Sequence, residues 1–176
     1  MVDKDEKKSL IRKLEKFDLE LSAIEEKISK VMLKHGDIME EENLIYDPIF
    51  KDKKVLIGNY DYFSSNQTRI ILQSFGMNVE IVKSSLDIID RIKSGCNYDI
   101  IFTNNIYQRG LFAPELLIEL KKIDGFNTPV VIHTITENSR SHFVDQLGFD
   151  EYIVKPIYAS DPDKVAEIKK ILEKLL

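Results

Sequence analysis

The residues in this chain that could do chemistry sit at the ends of short apolar runs. "YDIIFTNN", residues 98–105, closes in Thr103, Asn104 and Asn105. In an α/β fold a chemically active carboxylate would sit at the end of such a strand, but Asn104 offers an amide. An amide oxygen is a poor nucleophile because its lone pair is delocalised. It can coordinate a cation only through a neutral carbonyl. "GNYDY" presents Asn59, Tyr60 and Asp61, "IHTIT" presents Thr134, and "IVKP" presents Lys155. A hydroxyl, an ammonium group and backbone amides can hold an anion without transferring it. The three histidines, His35, His133 and His142, have no neighbours at metal-ligand spacing. Neither a phosphate-binding glycine loop nor a Cys/His cluster occurs, so no metal and no cofactor is expected.

The elements that position these residues begin at Lys54. "KVLIG", "NVEIV", "DIIFT", "PVVIHT" and "EYIV" are short, largely β-branched runs and predict five strands. Between them, apolar residues recur at helical spacing in 64–75, 85–94, 114–122 and 138–147, and a last helix follows "SDPD". Pro114 suits a first helical turn, and the Asp-Pro-Asp start suits the N-terminus of the last helix. The central strands are apolar on both faces, so helices must cover both sides of a parallel sheet. In such α/β folds sites form at the carboxyl ends of the strands. That rule singles out 58–61, 103–105, 134–136 and Lys155-Pro156. Asp99 opens the third strand, at the opposite end, and reads as structural.

Ahead of this domain, residues 5–35 contain no Gly and no Pro. Leu10, Leu14, Phe17, Leu21, Ile24, Ile28 and Val31 follow one another in alternating steps of four and three. That is a heptad seam, and a stripe so narrow suits contact with one other helix. The arm, 1–35, is therefore expected to pair as a coiled coil and make a homodimer; packing back along its own domain is the alternative. Gly36, "EEE" and Pro48 break the pattern, and 36–53 reads as a linker to the domain at 54–176.

Composition limits the function classes. The chain has 176 residues, 43% hydrophobic and 31% charged, enough for a packed core. A net charge of −5 gives no general attraction to nucleic acid or anionic lipid. No apolar run is long enough to span a membrane, and "MVDKDEKKSL" lacks the apolar core of a signal peptide. The single cysteine, Cys96, fits a reducing compartment, so a cytoplasmic location is expected.

From Lys54 to Leu176 the chain resembles the receiver domain of bacterial two-component response regulators. "KVLIGNYDYFSSNQTRIILQSFG" has that family's opening order of strand, acidic loop, helix and Gly. "NYDIIFTN" resembles its third strand, "TPVVIHT" its fourth, and "LGFDEYIVKP" its fifth, with an aromatic switch residue and a Lys-Pro. The resemblance implies a flavodoxin-like sheet of order 2-1-3-4-5. In the family a strand-end Asp takes a phosphoryl group from a kinase histidine. Mg²⁺ neutralises the developing charge and needs carboxylate oxygens.

The resemblance aligns the family's two loop acids with Asn59 and Tyr60, and its phosphorylated Asp with Asn104. All three carboxylates are absent. Thr134, Tyr152 and Lys155 stand at the matching places, and Asp61 lies one place beyond the usual acidic pair. The expected product is a degenerate receiver that is not an enzyme. It would act as a phosphorylation-independent protein-interaction module, with a histidine kinase or a downstream regulator as the kind of partner. The resemblance implies docking on the face of the fourth helix, fifth strand and fifth helix, which holds Tyr152. Two alternatives stay open: an active receiver with unusual acceptor chemistry, and an anion or small-ligand sensor using the vacated pocket.

Overall fold

The computed structural model of the chain describes residues 48–135 and 137–176. The coiled-coil seam from Leu10 to Val31 lies outside the described residues, as do Thr136 and the linker up to residue 47. The described elements are β1 (Lys54–Gly58), α1 (Tyr62–Ser74), β2 (Asn78–Val82), α2 (Ser85–Lys93), β3 (Ile100–Asn104), α3 (Ala113–Lys121), β4 (Val130–Thr134), a π-helical turn (His142–Gln146), β5 (Glu151–Val154) and α4 (Pro162–Leu175).

The five strands pair in parallel in the order β2-β1-β3-β4-β5. Parallel pairing puts every strand's carboxyl end at one edge of the sheet. The register fixes which residues meet there: Gly58 pairs with Thr103, Asn104 with His133, and Thr134 with Val154. Strand alternation then sends successive side chains to opposite faces. Val55, Ile57, Ile100, Phe102, Val131 and Ile153 pack under α1 and α4. Leu56, Ile101, Val130, Ile132 and Tyr152 pack against α2, α3 and the π-helical turn. This is the doubly wound α/β arrangement that the alternation of strands and helices predicts.

Local chemistry starts each helix where it starts. The Asp61 carboxylate accepts from the N–H groups of Phe63 (3.1 Å) and Ser64 (3.4 Å) at the head of α1. Ser84 and Asp87 exchange two 3.1 Å bonds as a capping box on α2. Glu115 accepts from Phe112 N–H at α3. Asp161 accepts from Asp163 and Lys164 N–H at α4.

Two features differ from the sequence reading. The helix expected over 138–147 runs over 140–146 and is π-helical at His142–Gln146, where Leu147 N–H donates to the His142 carbonyl five residues back. Asn138 has a left-handed φ of 53°, so the helix begins at residue 140 and not at 138. The core also extends upstream of Lys54. Phe50 is buried, meets the Phe75 ring edge-on at 6.2 Å, and its N–H donates to the Phe75 carbonyl.

Candidate functional site

Asn59, Asn104, His133 and Lys155 share one face at the carboxyl edge. Each continues the alternation of the strand residues that pack under α1 and α4. Asn59 is buried, and its N–H donates to the Val82 carbonyl, extending the β1–β2 ladder by one residue. Its Oδ1 accepts from Asp61 N–H at 3.1 Å. Its Nδ2 has no hydrogen-bond partner among the described residues. Asn104 is tied in three ways. Its Nδ2 donates to the Ile106 carbonyl (2.7 Å), and its Oδ1 accepts from Asn105 N–H (3.0 Å) and from Lys155 Nζ (3.3 Å).

Lys155 follows the edge strand β5, is half-buried, and its Nζ reaches Asn104 at the end of β3. Its N–H donates to the Thr134 carbonyl at 2.8 Å. Burial pushes its ammonium pKa down from 10.5 to about 8, and the nearby Asp61 carboxylate offsets part of that effect. The Lys155 side chain makes no ion pair among the described residues. His133 is fully buried, and neither ring nitrogen has a hydrogen-bond partner among the described residues. Burial first, and then the charges of Lys155 and Lys164, holds its pKa well below the usual range, so the ring is neutral.

The opposite face of the same edge is sealed. Tyr107 Oη donates to the Gly58 carbonyl (2.8 Å) and shares a 2.7 Å hydrogen bond with Thr103. A Cβ on Gly58 would collide with Ile88 and the Tyr107 hydroxyl, so the close approach requires glycine. Sequence reasoning missed Tyr107. Its only signal was its position three residues beyond β3.

Among the remaining predicted site residues, Tyr60 is 40% exposed and turns away from the core. Asp61 caps α1. Thr134 is buried at the end of β4. Tyr152 is buried and stacks on Phe143, with ring centroids 5.8 Å apart and planes 20° apart. Asp99 lies at the far edge, where its carboxylate accepts from Lys54 N–H (2.7 Å) and pairs with Lys53 (2.9 Å).

The receiver site of the resemblance would hold Mg²⁺, and the donor set here does not fit that ion. The three positions that should supply carboxylates carry two amides and a phenol. The one acid close by spends an oxygen on two helix N–H groups. Mg²⁺ gives up its water reluctantly and relies on carboxylate charge. No group of three acidic, His or Cys side chains among the described residues could hold a metal.

No family model matches the sequence, and no curated protein matches it. Solved structures do. A response regulator protein of Thermotoga maritima in complex with Mg²⁺-BeF is 22% identical, covers 70% of this chain and 99% of its own, and has a TM-score of 0.58. The receiver domain of a Pseudomonas aeruginosa sensor histidine kinase, with magnesium in its active-site cleft, is 19% identical, with 70% and 97% covered and a TM-score of 0.58. The chemotaxis response regulator CheY4 of Vibrio cholerae is 16% identical, with 72% and 100% covered and a TM-score of 0.59. The chain therefore has the CheY-like receiver fold, with the strand order 2-1-3-4-5. None of the described helices is long and apolar enough to cross a membrane.

Proposed function

We propose that this chain is a degenerate receiver, a phosphorylation-independent module that regulates by binding protein in bacterial signal transduction. One observation carries the reading. Every position that should offer a carboxylate to metal and phosphoryl group is occupied by Asn59, Tyr60 or Asn104, and Asp61 is engaged as a helix cap. Without a carboxylate the acyl phosphate has no acceptor. Without carboxylate charge the metal has no binding energy with which to offset dehydration. Lys155 then bonds to a neutral amide where the family pairs it with acids. The expected partner is a histidine kinase or a downstream regulator, and the location is the cytoplasm. The heptad arm, Leu10 to Val31, makes the homodimer. The test is intact-mass measurement after incubation with acetyl phosphate and Mg²⁺. No mass gain is expected, and a gain of one phosphoryl group overturns the reading.

A second reading has its own observation. Asn59 Nδ2 and both His133 ring nitrogens are buried without a partner among the described residues, on the face that carries Lys155. Buried polar groups of this kind are ordinarily satisfied, and a small anion near Lys155 would supply an acceptor. Stabilisation by inorganic phosphate, absent with a neutral osmolyte, would favour that reading.

A further inference from the structure

Five of the large apolar side chains that remain exposed lie at the strand ends and the first turn of α1, at the edge where Lys155 sits. Tyr60 leaves β1, Ile106 leaves β3, Ile135 leaves β4 and Tyr158 follows β5. These are four consecutive strands of the sheet, so the four side chains rim one edge. Ile106 is 53% exposed and Ile135 79%. Phe63, in the first turn of α1, meets the Tyr158 ring at 6.1 Å and closes the rim between β1 and β5. By contrast, none of the exposed large apolar side chains lies on the π-helical turn or on β5, where Phe143 and Tyr152 are buried against each other. A contiguous exposed apolar patch marks an interaction site. Here the patch lies at the carboxyl edge and not on the face that receivers are expected to use.

The charge at its centre says what covers it. Lys155 is half-buried; its Nζ donates to the neutral Asn104 Oδ1 at 3.3 Å and has no ion-pair partner among the described residues. Asp61, the nearest acid, is held by two helix N–H groups. The Asp61 carboxylate offsets only part of the burial of Lys155, and a half-buried cation so incompletely compensated is costly. A carboxylate brought in by a partner would supply the counter-charge, and apolar residues beside it would exclude water and strengthen the pair. A purely apolar partner would desolvate the ammonium further without compensation.

We propose that the rim of Tyr60, Phe63, Ile106, Ile135 and Tyr158 around Lys155 docks a protein segment in which one Asp or Glu is flanked by apolar side chains. The proposal rests on the reading of the chain as a binding module and assigns its docking surface and its partner's chemistry.

The experiment selects a phage-displayed library of random linear peptides on the full-length chain. The best binder is then synthesised with its acid and with the corresponding amide. Selected peptides should share one acid between apolar residues. Affinity should fall by at least about tenfold for the amide peptide, and likewise for Lys155→Met. Ile135→Ser, at a side chain too exposed to affect folding, should weaken binding severalfold. Thermal melting verifies that each variant is folded. An empty selection, acid-free binders, or binders indifferent to Lys155→Met and Ile135→Ser would each overturn the docking surface. Binders lost only on substitution of α4 would overturn it too, yet leave the module reading intact. That reading fails separately, on a phosphoryl mass gain.

Discussion

Replacing Lys155 with methionine should stabilise the domain at pH 7. The gap between the ordinary 10.5 and the folded value of about 8 corresponds to about 3 kcal/mol, at about 1.4 kcal/mol per unit. That is the upper limit of the cost of keeping the ammonium charged in this site. The site is half-buried, so water screens part of it, and a gain of about 1–2 kcal/mol is expected. Methionine retains the apolar stem and removes the charge. Between pH 8 and 10.5 the unfolded chain still holds the Lys155 proton while the folded chain has lost it. Wild-type stability therefore gains a contribution as pH rises through that window, and the penalty is fully present below it. Tyr98 and Tyr107, whose pKa values are raised chiefly by burial, act in the opposite sense at higher pH in both proteins. The wild-type-minus-variant difference thus isolates Lys155. The assay is urea unfolding of both proteins at pH 7, 8, 9 and 10. The variant should have the higher midpoint at pH 7, and the difference should shrink as pH rises. A variant that is less stable at pH 7, or a difference that does not change with pH, would refute the reasoning. Lys155 would then have a compensating partner.

Asn104→Asp places a carboxylate 3.3 Å from Lys155 Nζ and should return the lysine toward its ordinary pKa, read from its side-chain NMR titration. The same variant should still gain no phosphoryl mass with acetyl phosphate and Mg²⁺; phosphorylation would show that the missing loop acids are dispensable. Gly58→Ala forces a methyl group into Ile88 and the Tyr107 hydroxyl and should cost about 1–3 kcal/mol, measured by the urea midpoint. The full chain should sediment as a dimer and a chain starting at Pro48 as a monomer, with Leu21→Asp and Ile24→Asp matching the truncation. A monomeric full chain would remove the pairing role from the seam.

The sheet and most of its helices were legible in the chain itself, because strand and helix periodicity are local properties. Five β-branched apolar runs separated by helical spacing leave few arrangements other than a parallel sheet covered on both sides. The strand-end amide was equally plain: Asn104 follows "DIIFT" whatever the rest of the chain does, and the proposed loss of acyl-phosphate chemistry starts from it. The helix expected at 138–147 is present over 140–146, but apolar spacing does not reveal its π-helical hydrogen bonding or the left-handed Asn138 that delays its start. The role of Asp61 needed three dimensions, since a residue one place beyond the usual acids shows itself as the cap of α1 only when its oxygen is seen on Phe63 and Ser64 N–H. Only the tertiary structure put His133 on the face of Asn59 and Lys155, through register and alternation. It also gathered Tyr60, Ile106, Ile135 and Tyr158 into one rim. These residues are far apart in the chain and each looks like a stray loop hydrophobe. Parallel pairing in the order 2-1-3-4-5 carries all four strand ends to the same edge, and no local pattern encodes that proximity.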